Sequence, residues 1–342
     1  MSYNISSGGG TGSSALDVVK VNQFKAGFSE AFQQTDVRLV DSFRMETQDS
    51  EYAYYDRIGM AEEMKEDITR YGDNPQSEVS FDRRRTQTRN YELGKYIEPK
   101  DLTRVLTDPT APVISQMRHS GHRKMDDIVR DNIFGTAYAG KAGATPITYA
   151  STNSGKITVG NLSKGASNPI TTVGDYQLDA GDVEGIDIAV DYNPGGAATN
   201  SGITLDKLKA VRYTMMRLEA ISQEEVLDVW LGASQFEQLL GIDKVINSDY
   251  AVRKSLAEGN ITTFMGFRFR HFERLKGAGT SGDPRQCIIA KKEALIFSQA
   301  KSLSLDIWKD TGKKNIPYVY FALQADAVRM HGECVAKLNC LD

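Results

Sequence analysis

The chain has 342 residues, 40% hydrophobic and 25% charged, enough for two domains or one elongated subunit with a sizeable core. A formal net charge of −4 argues against a dedicated nucleic-acid binder, which is usually basic overall. No stretch approaches 18 uninterrupted apolar residues and the amino terminus has no apolar h-region, so neither a helical membrane span nor a secretory signal is expected.

Residues 1–14 are small, polar and glycine-rich, and read as a disordered arm. From Val21 onward, Phe24, Phe28 and Phe32 recur at helical spacing. A short helix with such a ladder cannot bury it by itself and must dock on the body or on a neighbouring chain. Residues 46–100 have few aliphatic side chains. Polar strands at 79–81 and 86–97, with Arg83, Arg84 and Arg85 between them, suggest an extended two-stranded arm with a charged tip.

Proline and threonine at 109–112 then open a long helix, Pro112 to Ala137, of about 25 residues or roughly 37 Å. It has one apolar stripe and a crowded charged back. Residues 140–202 are rich in Gly, Ser, Thr and Asn and read as irregular β-structure, an insertion or elaborated loop. Thr204 caps a helix carrying Leu208, Val211 and Met215 on one stripe. A buried strand at 225–231 follows, then a helix with a Ser234-Gln-Phe-Glu237 capping box that Gly241 ends. Tyr250–Leu256 reads as a further helix, and 261–341 as strands and loops.

Candidate chemistry is thin. His119 and His122 stand three apart with Asp126 beyond, but nothing completes a four-ligand metal site, and a solvated or interfacial face is the simpler reading. Gly277-Ala-Gly279-Thr-Ser-Gly282 matches G-x-G-x-x-G in letters. A strand follows it rather than a helix N-terminus, so it reads as a hairpin loop. Asp310-Thr-Gly sits among lysines and reads as an exposed turn. Ser298-Gln-Ala-Lys301 lacks the partner motifs of an S-x-x-K site. Cys287, Cys334 and Cys340 are few and odd in number and have no metal spacing, which suits small buried hydrophobes in a reducing compartment. Neither a catalytic set nor a cofactor is expected. The preferred role for Arg83, Arg84 and Arg85 is pairing with acidic groups of an adjacent subunit, against a solvated charge run or a nucleic-acid contact.

The order of elements has a counterpart. The long helix is followed by the strand and helix of Glu225–Leu240, by the hairpin Thr263-Phe-Met-Gly-Phe-Arg-Phe-Arg-His-Phe272, by Arg285-Gln-Cys-Ile-Ile-Ala290 and by Ala327-Val-Arg-Met330. This series resembles the major capsid proteins of tailed bacteriophages, the Hong Kong 97-type family. The resemblance implies an α+β fold divided as an N-terminal arm (1–45), an extended loop (46–100), a peripheral domain with a spine helix (101–140), a β-rich insertion (141–202), an axial domain (203–300) and return strands (301–342).

It also implies a structural role in the virion, built in the host cytoplasm. Subunits would form pentamers and hexamers that close into an icosahedral shell around double-stranded DNA. The partners would be other copies of the chain, a separate scaffolding protein, a portal and a decoration or cement protein, with no membrane. Fewer than about 20 residues precede the first expected helix, too few for a stable scaffold helix of their own, hence the separate scaffold. Phe24, Phe28 and Phe32 would dock the arm, and Arg83, Arg84 and Arg85 would make ionic contacts at the loop tip. Three alternatives stay open: an encapsulin-type compartment shell, another virion structural protein and a soluble α+β enzyme.

Overall fold

The computed structural model describes residues 33–58, 66, 81–97, 110–149, 151–152, 155–156, 158–159, 184–194, 199–242 and 263–342. Strands β1 (Arg44–Thr47), β2 (Tyr52–Ile58), β3 (Phe81–Gln87) and β4 (Arg89–Tyr96) precede helix α1 (Thr110–Ile133). Short strands β5 (Ala137–Ala139), β6 (Thr145–Ile147), β7 (Ser151–Thr152), β8 (Gly155–Lys156), β9 (Thr158–Val159) and β10 (Ile186–Ile188) come next. Then follow α2 (Leu205–Arg217), β11 (Leu227–Leu231), α3 (Ala233–Leu240), β12 (Thr263–Phe264), β13 (Phe267–His271) and β14 (Arg285–Ala290). The chain closes with β15 (Leu295–Asp310), β16 (Ile316–Arg329) and β17 (Val335–Cys340).

The largest sheet has the order β12-β13-β11-β14-β17-β10-β9. Its central strands β11 and β14 are mostly buried on both faces, while β13 alternates buried Phe267 and Phe269 with Arg268 and Arg270. Leu227, Val229 and Trp230 on β11, Ile288 and Ile289 on β14, and Leu338 on β17 are all buried. Leu208, Val211 and Met215 of α2 join the same core, as do Val129 and Ile133 from the end of α1. Phe43, just after the terminal segment, stacks on Trp230 with ring centroids 5.4 Å apart.

A second sheet, β1-β15-β16-β4, is built on the long antiparallel pair β15–β16. Helix α1 crosses it. The helix's 24 residues span about 36 Å. Near the start of the helix, Met117 packs with Ile97, Val319 and Phe321, flanked by Val113, Ile114 and Leu303; further along, Met125, Ile128 and Val129 share the main core with Phe297, Leu323 and Ala325 of this sheet. A third sheet, β2-β3-β5-β6, carries the hairpin of the expected extended loop.

Several expectations need correction. Arg83, Arg84 and Arg85 are not at a tip between strands. They lie within β3, opposite Asp56, Tyr55 and Tyr54 of β2, because the strand runs unbroken from Phe81 to Gln87. The expected strand at 86–97 is interrupted at Thr88, where the chain leaves β2 and pairs with β16 instead. Helix α1 stops at Ile133, since Arg329 takes the carbonyls of Ile133 and Gly135 at 3.1 and 2.8 Å, and the chain turns into β5. The capping box does not form. Helix α3 starts at Ala233 with Gly232 as its N-cap, and the Glu273 carboxylate accepts the Ala233 N–H at 2.8 Å. Thr204 does cap α2, accepting the Lys207 N–H, and Gly241 does end α3. The phenylalanine ladder and the expected helix at 250–256 lie outside the described residues.

Candidate assembly surfaces

Three places in the fold hold extended parts of the chain on the body, and two faces are left open. The first anchor is Asp126, which the sequence places on the charged back of α1. Its carboxylate is instead fully buried. It accepts the backbone N–H groups of Arg38, Leu39 and Val40 at 3.0, 2.9 and 3.3 Å, and the Gln34 side-chain amide also donates to it. Burial pushes its pKa up, and the amide donors oppose that rise. His119 and His122 both face the terminal segment. Each places Nδ1 near the Thr35 carbonyl oxygen, at 3.2 and 2.7 Å. Among the described residues, no group of three His, Cys, Asp or Glu side chains is arranged to hold a metal ion.

The second anchor is a buried charge cluster at the base of the β2–β3 hairpin. Arg84 is completely buried and pairs with Glu184 and with Asp82, the latter at 2.8 Å. Arg57 donates to Asp82 at 3.3 Å and to the Met330 carbonyl at 3.0 Å. Arg329 lies 3.6 Å from Glu184, and Glu333 lies 3.8 Å from Arg57. Three guanidinium groups thus face three carboxylates. Burial raises the Glu184 carboxyl pKa against the pull of Arg84, Arg329 and Arg57, and it lowers the pKa of both Arg84 and Arg329. The cluster joins β2, β3, β16, Glu184 just ahead of β10 and Glu333 between β16 and β17. Charges buried in this way hold only while every partner is present.

The third anchor is polar and neutral. Gln48, after β1, accepts from Ser298 at 2.6 Å and from Thr86 at 3.1 Å, and Tyr55 donates to Ser298 at 3.0 Å. Ser298 is thus a buried hydroxyl that links Gln48 to Tyr55. Asp310 belongs to a turn, as expected: it accepts from Gly312 N–H at 2.9 Å and from the Tyr96 hydroxyl at 2.8 Å. The G-x-G-x-x-G stretch is a loop between β13 and β14, with Gly277 and Gly279 at positive φ.

The first open face is the outer side of the β2–β3 hairpin. Arg83 forms a two-point contact with Asp56 at 2.5 and 3.2 Å, which lowers the Asp56 pKa. The Arg85 guanidinium sits between the rings of Tyr52 and Tyr138, at 5.0 and 5.2 Å. The second open face is the far end of β15–β16. A row of Tyr96, Tyr318 and Trp308 crosses three strands, with centroid spacings of 4.5 and 5.1 Å. On the opposite side of the same strands, Leu305 and Ile307 are exposed although their cross-strand neighbours Phe321 and Val319 are buried.

Comparison with known proteins assigns this architecture. The model of the phage capsid protein family matches residues 18–342. The chain belongs to the phage capsid protein family. The capsid structure of cyanophage P-SCSP1u has a TM-score of 0.64 to it at 13% identity, covering 95% of this chain and 94% of that one. The mature capsid of bacteriophage PhiM1 scores 0.61 at 14% identity over 93% and 91%. The capsid of Ralstonia phage GP4 scores 0.59 at 11% identity over 97% and 99%. No curated protein sequence matches the chain. The fold is therefore the Hong Kong 97-like capsid fold, and membership of the family makes the chain a structural protein of a phage capsid.

Within that family fold, sequence reasoning missed the buried charges. Arg329, a charge on a largely apolar strand, carried a signal in its flanking core residues, whereas Asp126 reads as one more charge on the charged back of α1. Glu184, in a weakly patterned stretch, offered none.

Proposed function

We propose that this chain is the major capsid protein of a tailed phage. Copies form pentamers and hexamers that close into an icosahedral head around double-stranded DNA. Assembly takes place in the host cytoplasm, with a separate scaffolding protein, a portal and a decoration protein as partners, and the chain carries no catalytic activity. The division into arm, extended loop, peripheral, insertion, axial and return segments expected from the sequence is retained in this proposal. The observation that carries it is the pair of open faces. An unattached subunit leaves Leu305 and Ile307 exposed on one side of β15 and Trp308 with Tyr96 exposed on the other, and exposed apolar faces of this kind mark protein contacts. Many copies of a modest contact add to a stable closed shell.

The ionic role expected of the three arginines is narrowed. Arg84 serves the subunit's interior, while Arg83 and Arg85, on the outer face, remain available to a neighbour. Phe24, Phe28 and Phe32 dock the arm. Electron microscopy of the recombinant chain, with and without a co-expressed scaffold, tests the proposal. Closed shells or five- and six-fold rings are expected; a monodisperse monomer or dimer under every condition would overturn it.

A further inference from the structure

We propose that four backbone carbonyls between β10, α2 and β17 form a site for one monovalent cation of ammonium size, and that the ammonium of Lys207 is its built-in occupant. Lys207 lies in the first turn of α2 and is completely buried. Its Nζ donates to the carbonyls of Val190 at 2.8 Å, Ser201 at 2.8 Å, Gly202 at 3.0 Å and Asn339 at 2.9 Å. These oxygens come from three stretches of chain: the residues just after β10, those just before α2, and β17. The walls of the cage are tied together by the backbone itself. The Ser201 N–H donates to the Val190 carbonyl at 3.0 Å, and the Leu341 N–H donates to the Ser201 carbonyl at 3.2 Å.

Other features of this position disfavour a charge. The first turn of a helix repels a cation. Burial strips the ammonium of water and lowers its pKa. The next positions on the helix, Leu208 and Val211, belong to the main apolar core. Carbonyl oxygen is what offsets these costs. An ammonium has three N–H bonds and a neutral amine only two. Four carbonyls at nearly equal distance outnumber the donors of either form, so they fit a compact point charge better than a set of directed bonds. Rings of carbonyls replace the hydration shell of potassium, an ion close to ammonium in size, in the same way. Because the occupant is tethered to α2, the connection between β10 and α2 stays fastened to β17 whatever salt surrounds the subunit.

The test uses the unassembled full-length subunit, so it stands or falls apart from the assembly reading. Lys207→Ala empties the cage, and the piece it removes corresponds to a propylammonium ion. Denaturant unfolding is compared in propylammonium chloride and in tetramethylammonium chloride at equal ionic strength; the second ion carries the same charge but no N–H. The wild type, whose cage is filled, should respond alike to both salts. Lys207→Ala should be less stable, and its folding equilibrium constant should be about tenfold or more higher in propylammonium than in tetramethylammonium, the gain expected of hydrogen bonds to a charged group. Lys207→Met keeps the bulk of the stem without the charge, and should be destabilised and indifferent to the choice of salt. A Lys207→Met variant as stable as the wild type overturns the proposal, as does a Lys207→Ala variant that treats the two salts alike. If Lys207→Ala does not fold in plain buffer, the yield of soluble subunit on refolding in each salt supplies the same comparison.

Discussion

In the seven-stranded sheet, Val229, Trp230, Phe267, Ile288 and Leu338 are each at most 1% exposed. In the far half of the β15–β16 pair, Leu305, Ile307 and Trp308 are 39, 54 and 45% exposed. Both regions are β-structure of similar apolar content, yet only the first is finished within one subunit. The first therefore sets the stability of the subunit, and the second is material for contacts between subunits. Between them lie the β2–β3 hairpin, held at its base by buried charges, and the terminal segment, held by the Asp126 carboxylate and by Leu39, Val40 and Phe43 in the core.

The sharpest way to break this comparison is to cut each region in turn. Phe267→Ala, in the closed sheet, should cost about 3–5 kcal/mol of subunit stability in denaturant titrations. Trp308→Ala should leave the unfolding midpoint of the isolated subunit nearly unchanged while lowering the yield of shells. Equal losses of stability in the two variants would show that both regions serve the subunit alike.

Arg84→Met tests the intermediate kind of anchor. It leaves Glu184 buried with fewer partners, and the expected loss is about 3–5 kcal/mol. Exchanging Glu184 for Gln in the same chain should restore part of that loss. A pH series sharpens the point. Burial raises the folded-state pKa of Glu184, so the folded chain binds this proton more tightly than the unfolded one. Its stabilising contribution is fully present below the unfolded pKa and is lost as pH rises through the folded value. The wild type should therefore lose stability relative to Glu184→Gln across that window, read as the difference between denaturation midpoints. A constant difference would contradict the assignment. Asp126→Asn should cost a smaller amount, about 1–3 kcal/mol, and free residues 33–40 for proteolysis. Arg83→Ala should produce no resolvable shift in the midpoint, because its pairing with Asp56 lies in solvent.

Much of the closed region was legible in the chain. The buried strand at β11, the Thr204 cap and the stripe of α2 follow from local patterning, which works where residues pack against near neighbours in sequence. The hairpin base was not legible. Arg84 sits in a run of three arginines that reads as a charged tip, and its burial depends on Glu184, a hundred residues later. Asp126 likewise reads as one more charge on a charged helix until a segment nearly ninety residues earlier lays its amides on it. The Glu237 capping box failed for a related reason: Glu273, just past the end of β13, already occupied the helix start.

Hydrogen exchange read by mass spectrometry on the free subunit and on assembled shells tests most directly whether one region is finished and the other waits for a partner. The far half of β15–β16 and the outer strands of the β2–β3 hairpin should gain strong protection on assembly, while β11, β14 and β17 should exchange equally slowly in both forms. Protection that rises uniformly, or that leaves residues 303–320 unchanged in closed shells, would contradict the division of labour described above.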